Sequence, residues 1–255
     1  VRGPYLNKLN EGVIIDAQDN GVAVTISKAE IKLFGLNVTN SHEEEDFFTS
    51  SGIKVTSNSN ILKFNKITDS YVGILLDDVY GNNVTDNLID DVDYGIVLAK
   101  ARDNLIENNT IYDVEEDDIQ LTDAGNDMGS TGNIIHNNED IDILKFKNSD
   151  NNLLIYQDAT TVNLQGSMNL SAIGSEFDFV ICNSESSLYL KNYFSVNVTS
   201  NGSSLEDVDL KVWDGDTVVY STAYDFDGDD LPDGNDPKTG SDGYVHDILA
   251  IYKVY

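Results

Sequence analysis

Between Gly52 and Asn138 the chain repeats itself about every 22 residues, and this period limits the folds open to it. Gly52-Ile-Lys-Val, Gly73-Ile-Leu-Leu, Gly95-Ile-Val-Leu and Asp118-Ile-Gln-Leu fill one recurring slot. Asn60, Asn82 and Asn104 fall at the same interval, as do Asn65, Asn87 and Asn109, and Ile67, Ile89 and Ile111. Three independent columns thus agree on one register. An insertion, Thr122 to Thr131, delays the next copy to Asn133-Ile-Ile-His-Asn-Asn138. Units of this size cannot bury their apolar faces alone, so they must stack on one another.

Each copy holds two or three apolar runs of a few residues, alternating in and out (Ile74 and Leu76, Ile96 and Leu98) and broken by Gly, Asn and Asp. None keeps helical spacing over the dozen residues a helix needs. The Leu-x-x-Leu-x-Leu frame of leucine-rich repeats is absent. What remains is a right-handed parallel β-helix, each coil being three short strands joined by turns and equivalent strands lying ~4.8 Å apart. Ile and Leu columns then form internal stacks, each buried side chain contributing roughly 1.5–3 kcal/mol. Asn fits the corners because it tolerates a left-handed backbone and because stacked amides bond from coil to coil.

Gly-Ile-x-Leu, an Asn-rich segment and a second Asn-Asn-x-Ile resemble the repeats of NosD-like, pectin-lyase-like β-helix proteins, over roughly residues 10 to 190. The resemblance implies a cell-surface protein of archaeal or bacterial type. It implies architecture and not chemistry, because this scaffold hosts lyases, hydrolases, epimerases, adhesins and inert stalks.

Forty-five acidic residues against 15 basic give a net charge of -30, which repels nucleic acid and anionic membranes. No run of 18 apolar residues spans a membrane. The chain starts at Val1 without an initiator Met, which points to a piece of a longer precursor. Cys182, the single cysteine, lies in the apolar run from Phe177 and reads as a small core residue. Asn37, Asn83, Asn108, Asn169, Asn197 and Asn201 head Asn-x-Ser/Thr sequons, with Asn83 and Asn108 expected in solvent-facing turns. Sequons and acidic surface together favour an extracellular location.

Residues 1–188 read as the β-helix. Gly12-Val-Ile-Ile, Gly21-Val-Ala-Val and Ile31 to Val38 are its first strands. Ser41 to Phe48 is a solvent insert whose Phe47 and Phe48 lie back on the wall. Ile141–Phe146, Leu153–Tyr156, Thr161–Leu164 and Phe177–Cys182 are the last coils. Residues 189–255 change style. Tyr189–Val198, Val208–Trp213, Thr217–Thr222 and Gly243–Tyr252 alternate strictly and predict a small antiparallel Ig-like β-sandwich, with Trp213 in its core. The order of these runs resembles carboxypeptidase-regulatory-like modules, of which only the first four strands are matched. Either the sandwich leans on the last coil, or its missing strand lies beyond Tyr255, or a neighbouring chain completes it by strand addition, giving a homo-oligomer or filament.

The sharpest local motif is the acidic run from Asp225 to Asp236. Asp225, Asp227, Asp229, Asp233 and Asp236, with the Leu231 carbonyl, reproduce the oxygen spacing of a calcium loop. It resembles thrombospondin-type-3 and dockerin-like repeats, departing from the EF-hand loop at Asp230 and Asp236. The expected cofactor is a structural Ca²⁺. For catalysis the pattern is thin. Asp90/Asp91 and Asp117/Asp118 would form a hydrolase pair only if they met in one groove. Asp77, Asp78 and Asp93 recur beside them at turns, where Asp belongs for conformational reasons. Lys100 and Arg102 are the one basic cluster on the repeat. His42, His136 and His246 share no metal-ligand spacing. Tyr71, Tyr80, Tyr94 and Tyr112 could line a glycan-binding wall. The sequence therefore favours a non-catalytic extracellular structural or adhesive surface module. Its rivals are a polysaccharide-active lyase or glycoside hydrolase and a glycan-binding appendage.

Overall fold

The computed structural model describes residues 13–42, 46–122, 130–214, 217–222 and 236–255. Every element among them is a β-strand. Contacts divide the chain into one unit of residues 1–188 with Tyr255, and a second of residues 189–254.

The first unit is a parallel β-solenoid. One rung shows its logic. Ile61–Lys63 lies in one sheet, the chain turns at Phe64 and Asn65, and Lys66–Asp77 runs along the other sheet. A second turn leads to Asn82 and the next short strand, Asn83–Thr85. Register is strict. Leu62 pairs Val84, which pairs Ile106, then Ile135, Leu154 and Ala172. In the other sheet Ile53, Ile74, Ile96, Ile119, Leu144, Val162 and Val180 form one row. From Leu62 to Leu154, and from Ile53 to Val162, these residues are fully buried, so the two rows face each other as the core. The three-strand coil expected from sequence appears as two sheets. The second and third strands run together as the 12-residue strands Lys66–Asp77 and Leu88–Ala99, bent at Asp69 and Asp91 with φ of 50° and 56°.

The corners explain the asparagines. Asn60, Asn82, Asn104, Asn133 and Asn152 are buried and form one ladder, each Nδ2 donating to the Oδ1 of the next rung at 3.0–3.2 Å. Asn65, Asn87, Asn109, Asn138 and Gln157 form the second ladder at 2.9–3.0 Å. Each acceptor also takes the backbone N–H of the rung before it, as Asn87 Oδ1 does from Asn65 at 3.0 Å. The left-handed residue is not the ladder asparagine but its predecessor. Phe64, Asp86, Asn108, Asn137 and Tyr156 all have positive φ. That turn swings the following side chain inward, where its amide meets backbone groups that would otherwise be buried without partners.

Glycine in the repeat slot has a different cause. A Cβ on Gly95 would sit 2.3 Å from the Asp118 carbonyl oxygen and 2.7 Å from Ile111 Cγ2. The insert after Ser41 behaves as expected. Phe47 and Phe48, with Tyr71 and Tyr94, pack over the outward-facing Leu75 and Val97. The Phe47 and Tyr94 rings meet edge-on at 4.7 Å.

In the second unit Leu188–Asn197 pairs antiparallel with Tyr244–Val254, Thr199–Ser200 with Ser203–Ser204, and Lys211–Asp214 with Thr217–Ser221. These follow the expected runs, but among the described residues the pairing amounts to three antiparallel pairs. The Ig-like sandwich remains a proposal. Trp213, expected in a core, is 55% exposed with Lys211 Nζ 5.3 Å from its ring centroid. Cys182 is only half-buried, on the last strand of its sheet.

Asn87→Ala orphans the Asn65 backbone N–H and one of the two Asn65 Nδ2 hydrogens, the other still donating to Leu33 O, and should lower stability by ~2–4 kcal/mol. Asn83→Ala, at an exposed outward position, should cost under ~0.5 kcal/mol. Urea-denaturation midpoints of the two variants check this; equal shifts would contradict the ladder's role.

Candidate functional site

The solenoid changes cross-section partway along, and a cleft lies at that step. Equivalent positions Leu105 and Ile134 are 29 residues apart across the insertion, but Ile134 and Leu153 are only 19 apart. The shortened rung drops one strand. Thr110–Val114 pairs with Leu88–Ala99 on one side, while among the described residues the following rung meets it only through the isolated bridge Thr110↔Glu139. The missing strand leaves a cleft of about 890 Å³, lined among others by Tyr112, Asp118, Asp142, Tyr156, Asp158 and Asp178.

Asp118 stands in the slot that glycine fills in the preceding rungs, and the short rung uses its side chain. Asp118 Oδ2 accepts the backbone N–H of Asp142 at 3.0 Å and of Ile143 at 2.7 Å. At 3% exposure its carboxyl is pushed up from 3.8 to about 6, chiefly by burial. The two N–H bonds oppose that shift, and the Asp142 carboxylate adds to it. Asp117 is also raised by burial, against the Lys145 ammonium at 2.9 Å.

Tyr156 was not singled out from sequence. It has φ of 46°, costly for a bulky side chain, and its ring is 53% exposed. That ring fills the space above Gly174, where a Cβ would meet Cδ1 at 2.6 Å. No local pattern announces such a residue; only its place in the corner column with Asn108 and Asn137 does.

The carboxylates of the expected hydrolase pairs do not converge. Asp118 lines the cleft, whereas Asp90 and Asp91 do not. Asp90 lies 4.0 Å from Lys66 Nζ and Asp77 3.3 Å from Lys54 Nζ, while Asp78 and Asp91 occupy left-handed corners. Asp93 lies 3.7 Å from His42 Nε2. Lys100 is another left-handed corner, and Arg102 is exposed beside it, bridged to Tyr80. The expected tyrosine wall divides: Tyr71 and Tyr94 are half-buried under the Phe47 insert, Tyr80 is exposed at a corner, and Tyr112 lines the cleft. Burial and the neighbouring Tyr71 push Tyr94 up to about 12. Of the sequons, Asn83, Asn108, Asn169, Asn197 and Asn201 are exposed, and Asn37 is half-buried.

A family profile described as "Periplasmic copper-binding protein (NosD)" matches residues 3–223. The chain belongs to the NosD family. No curated protein and no solved structure matches it. The NosD assignment agrees with the resemblance read from the repeats and with the solenoid, and it overturns the calcium expectation. The metal named for the family is copper, and no calcium site is found among the described residues, which hold no group of three or more His, Cys, Asp or Glu able to bind a metal ion. Of the expected ligands, Asp225, Asp227, Asp229, Leu231 and Asp233 lie outside the described residues. Asp236 is described, and it is engaged with the chain itself: Oδ2 accepts the Ser221 N–H at 2.8 Å, and its own N–H donates to Ser221 O at 2.7 Å.

The Asp118 shift fixes the sign of one pH effect. Its folded-state value lies above the unfolded one, so its stabilising contribution is complete below about pH 3.8 and lost as pH rises through about 6. Asp118→Asn keeps a carbonyl acceptor and removes the charge. Thermal melts should therefore show the variant gaining on the parent between pH 4 and 7.5, and ending more stable at the upper limit. Parallel melting curves across that range would contradict the assignment.

Proposed function

We propose that this NosD-family chain is a non-catalytic structural module working outside the cytoplasm, at a cell surface or in the periplasm. The observation that carries the reading is the fate of its acids. Of the carboxylates weighed as hydrolase pairs, Asp90 and Asp117 are matched with Lys66 and Lys145, and Asp118, which does line the cleft, is tied to the backbone N–H groups of Asp142 and Ile143. The family description and the solenoid support the setting. Among the described residues, no helix is long and apolar enough to cross a membrane. A panel of neutral and anionic polysaccharides incubated with purified protein should give no new reducing ends or unsaturated products. Reproducible cleavage would replace this reading with the enzymatic one.

One observation favours a second reading, glycan binding without turnover. Tyr112 and Tyr156 line the cleft alongside carboxylates, so stacking surfaces and hydroxyl acceptors lie within reach of one ligand. Glycan-array binding that Tyr156→Ala abolishes, with the melting temperature kept, would support it. Assembly by strand addition at the C-terminal unit belongs to the same proposal. Sedimentation at high concentration should then show a ladder of oligomers, and a single monomeric species would remove it.

A further inference from the structure

Copper is the metal named for the NosD family, and the donors of this chain can be compared with what copper demands. Cu(I) selects thiolate and thioether sulfur, while Cu(II) takes tetragonal sets of imidazole nitrogen and oxygen. A tight site needs several such donors around one centre. The chain has three histidines, one cysteine and two methionines. All the histidines, the cysteine and Met168 lie among the described residues.

A solenoid offers a direct way to build such a centre: the same residue type placed in one column on successive rungs, ~4.8 Å apart, as the asparagines are. The histidines are not placed so. His136 has Glu107 on the rung before it and Ile155 on the rung after. Its Nδ1 lies 2.8 Å from Glu107 Oε1, which leaves Nε2 as the second ring nitrogen. His42 Nε2 lies 3.7 Å from Asp93, and His246 Nε2 lies 3.6 Å from Asp242. Each imidazole is thus matched with a single carboxylate. The sulfurs are no better placed. Cys182 pairs in register with Leu164, on the sheet that does not contain His136, and burial pushes its thiol up, away from the thiolate that binds metal. Met168 is 51% exposed, at a corner. The donor set does not fit a copper centre.

We infer that the described residues of this chain carry the NosD scaffold without a copper site. Cu(II) meets only separate imidazole–carboxylate pairs, and Cu(I) meets no pair of sulfur ligands among the described residues. The inference is independent of the structural role proposed above, since a copper-loaded solenoid could still be non-catalytic.

The test titrates the whole chain with Cu(II), and anaerobically with Cu(I), each against a chromogenic chelator, followed by desalting and metal analysis. The expected result is less than a tenth of an equivalent retained in either state. His136→Ala and the triple variant of His42, His136 and His246 to Ala should retain the same amount as the parent within twofold. One equivalent surviving desalting, with an electron paramagnetic resonance spectrum of two or more nitrogen ligands, would overturn the inference. So would one equivalent, in either oxidation state, retained undiminished by the triple variant, because it would place a copper centre elsewhere in the chain.

Discussion

A coil that turns sharply within each rung must bury backbone N–H and carbonyl groups at its corners, where no neighbouring strand is in register to satisfy them. In this protein the two asparagine ladders meet that demand. A primary amide is both donor and acceptor, so one side chain can receive the preceding rung and give to the following one. Asn87 does this for four groups, taking the Asn65 backbone N–H and Nδ2 and donating to Leu62 O and Asn109 Oδ1. The aliphatic columns supply most of the stabilising burial, but they would pack equally well in several registers. The amides fix one, because an unpaired polar group in that interior costs more than a misplaced methyl.

The same demand determines how far the fold could be read from sequence. From Gly52 to Asn109 the rungs differ by no more than one residue in length, so glycine, asparagine and isoleucine columns stand out together. Beyond Asn138 the rungs shorten, Gln157 and Ser175 replace asparagine at the corner, and the columns continue in space while fading in sequence. The step in cross-section was therefore invisible. Asp118 could be seen to occupy the glycine slot, but its role depends on Asp142 and Ile143 arriving one short rung later. Phe47 and Phe48 were legible as an apolar pair inside a polar insert that had only the wall to pack against. The calcium reading failed for a related reason. Carboxylate spacing along a chain is local information, whereas Asp236 is engaged by Ser221, fifteen positions away.

Composition carries a similar lesson for function. A charge of -30 invites a search for catalytic pairs or cation sites. Many of the aspartates instead serve conformation: Asp69, Asp86, Asp91, Asp103 and Asp113 all adopt the left-handed backbone that a corner requires. Short side chains that fold back on their own main chain tolerate this geometry best, and in a solenoid the requirement recurs with every turn. Part of the acidity is thus a by-product of winding.

Every side-chain-to-side-chain bond in both ladders runs the same way, from the Nδ2 of the earlier rung to the side-chain carbonyl of the later one. The stack consequently has a direction, and a rung laid in reverse would set side-chain carbonyl against side-chain carbonyl. Another rung could extend it only in the same sense, so the stacking rule itself forbids tip-to-tip pairing of two identical faces.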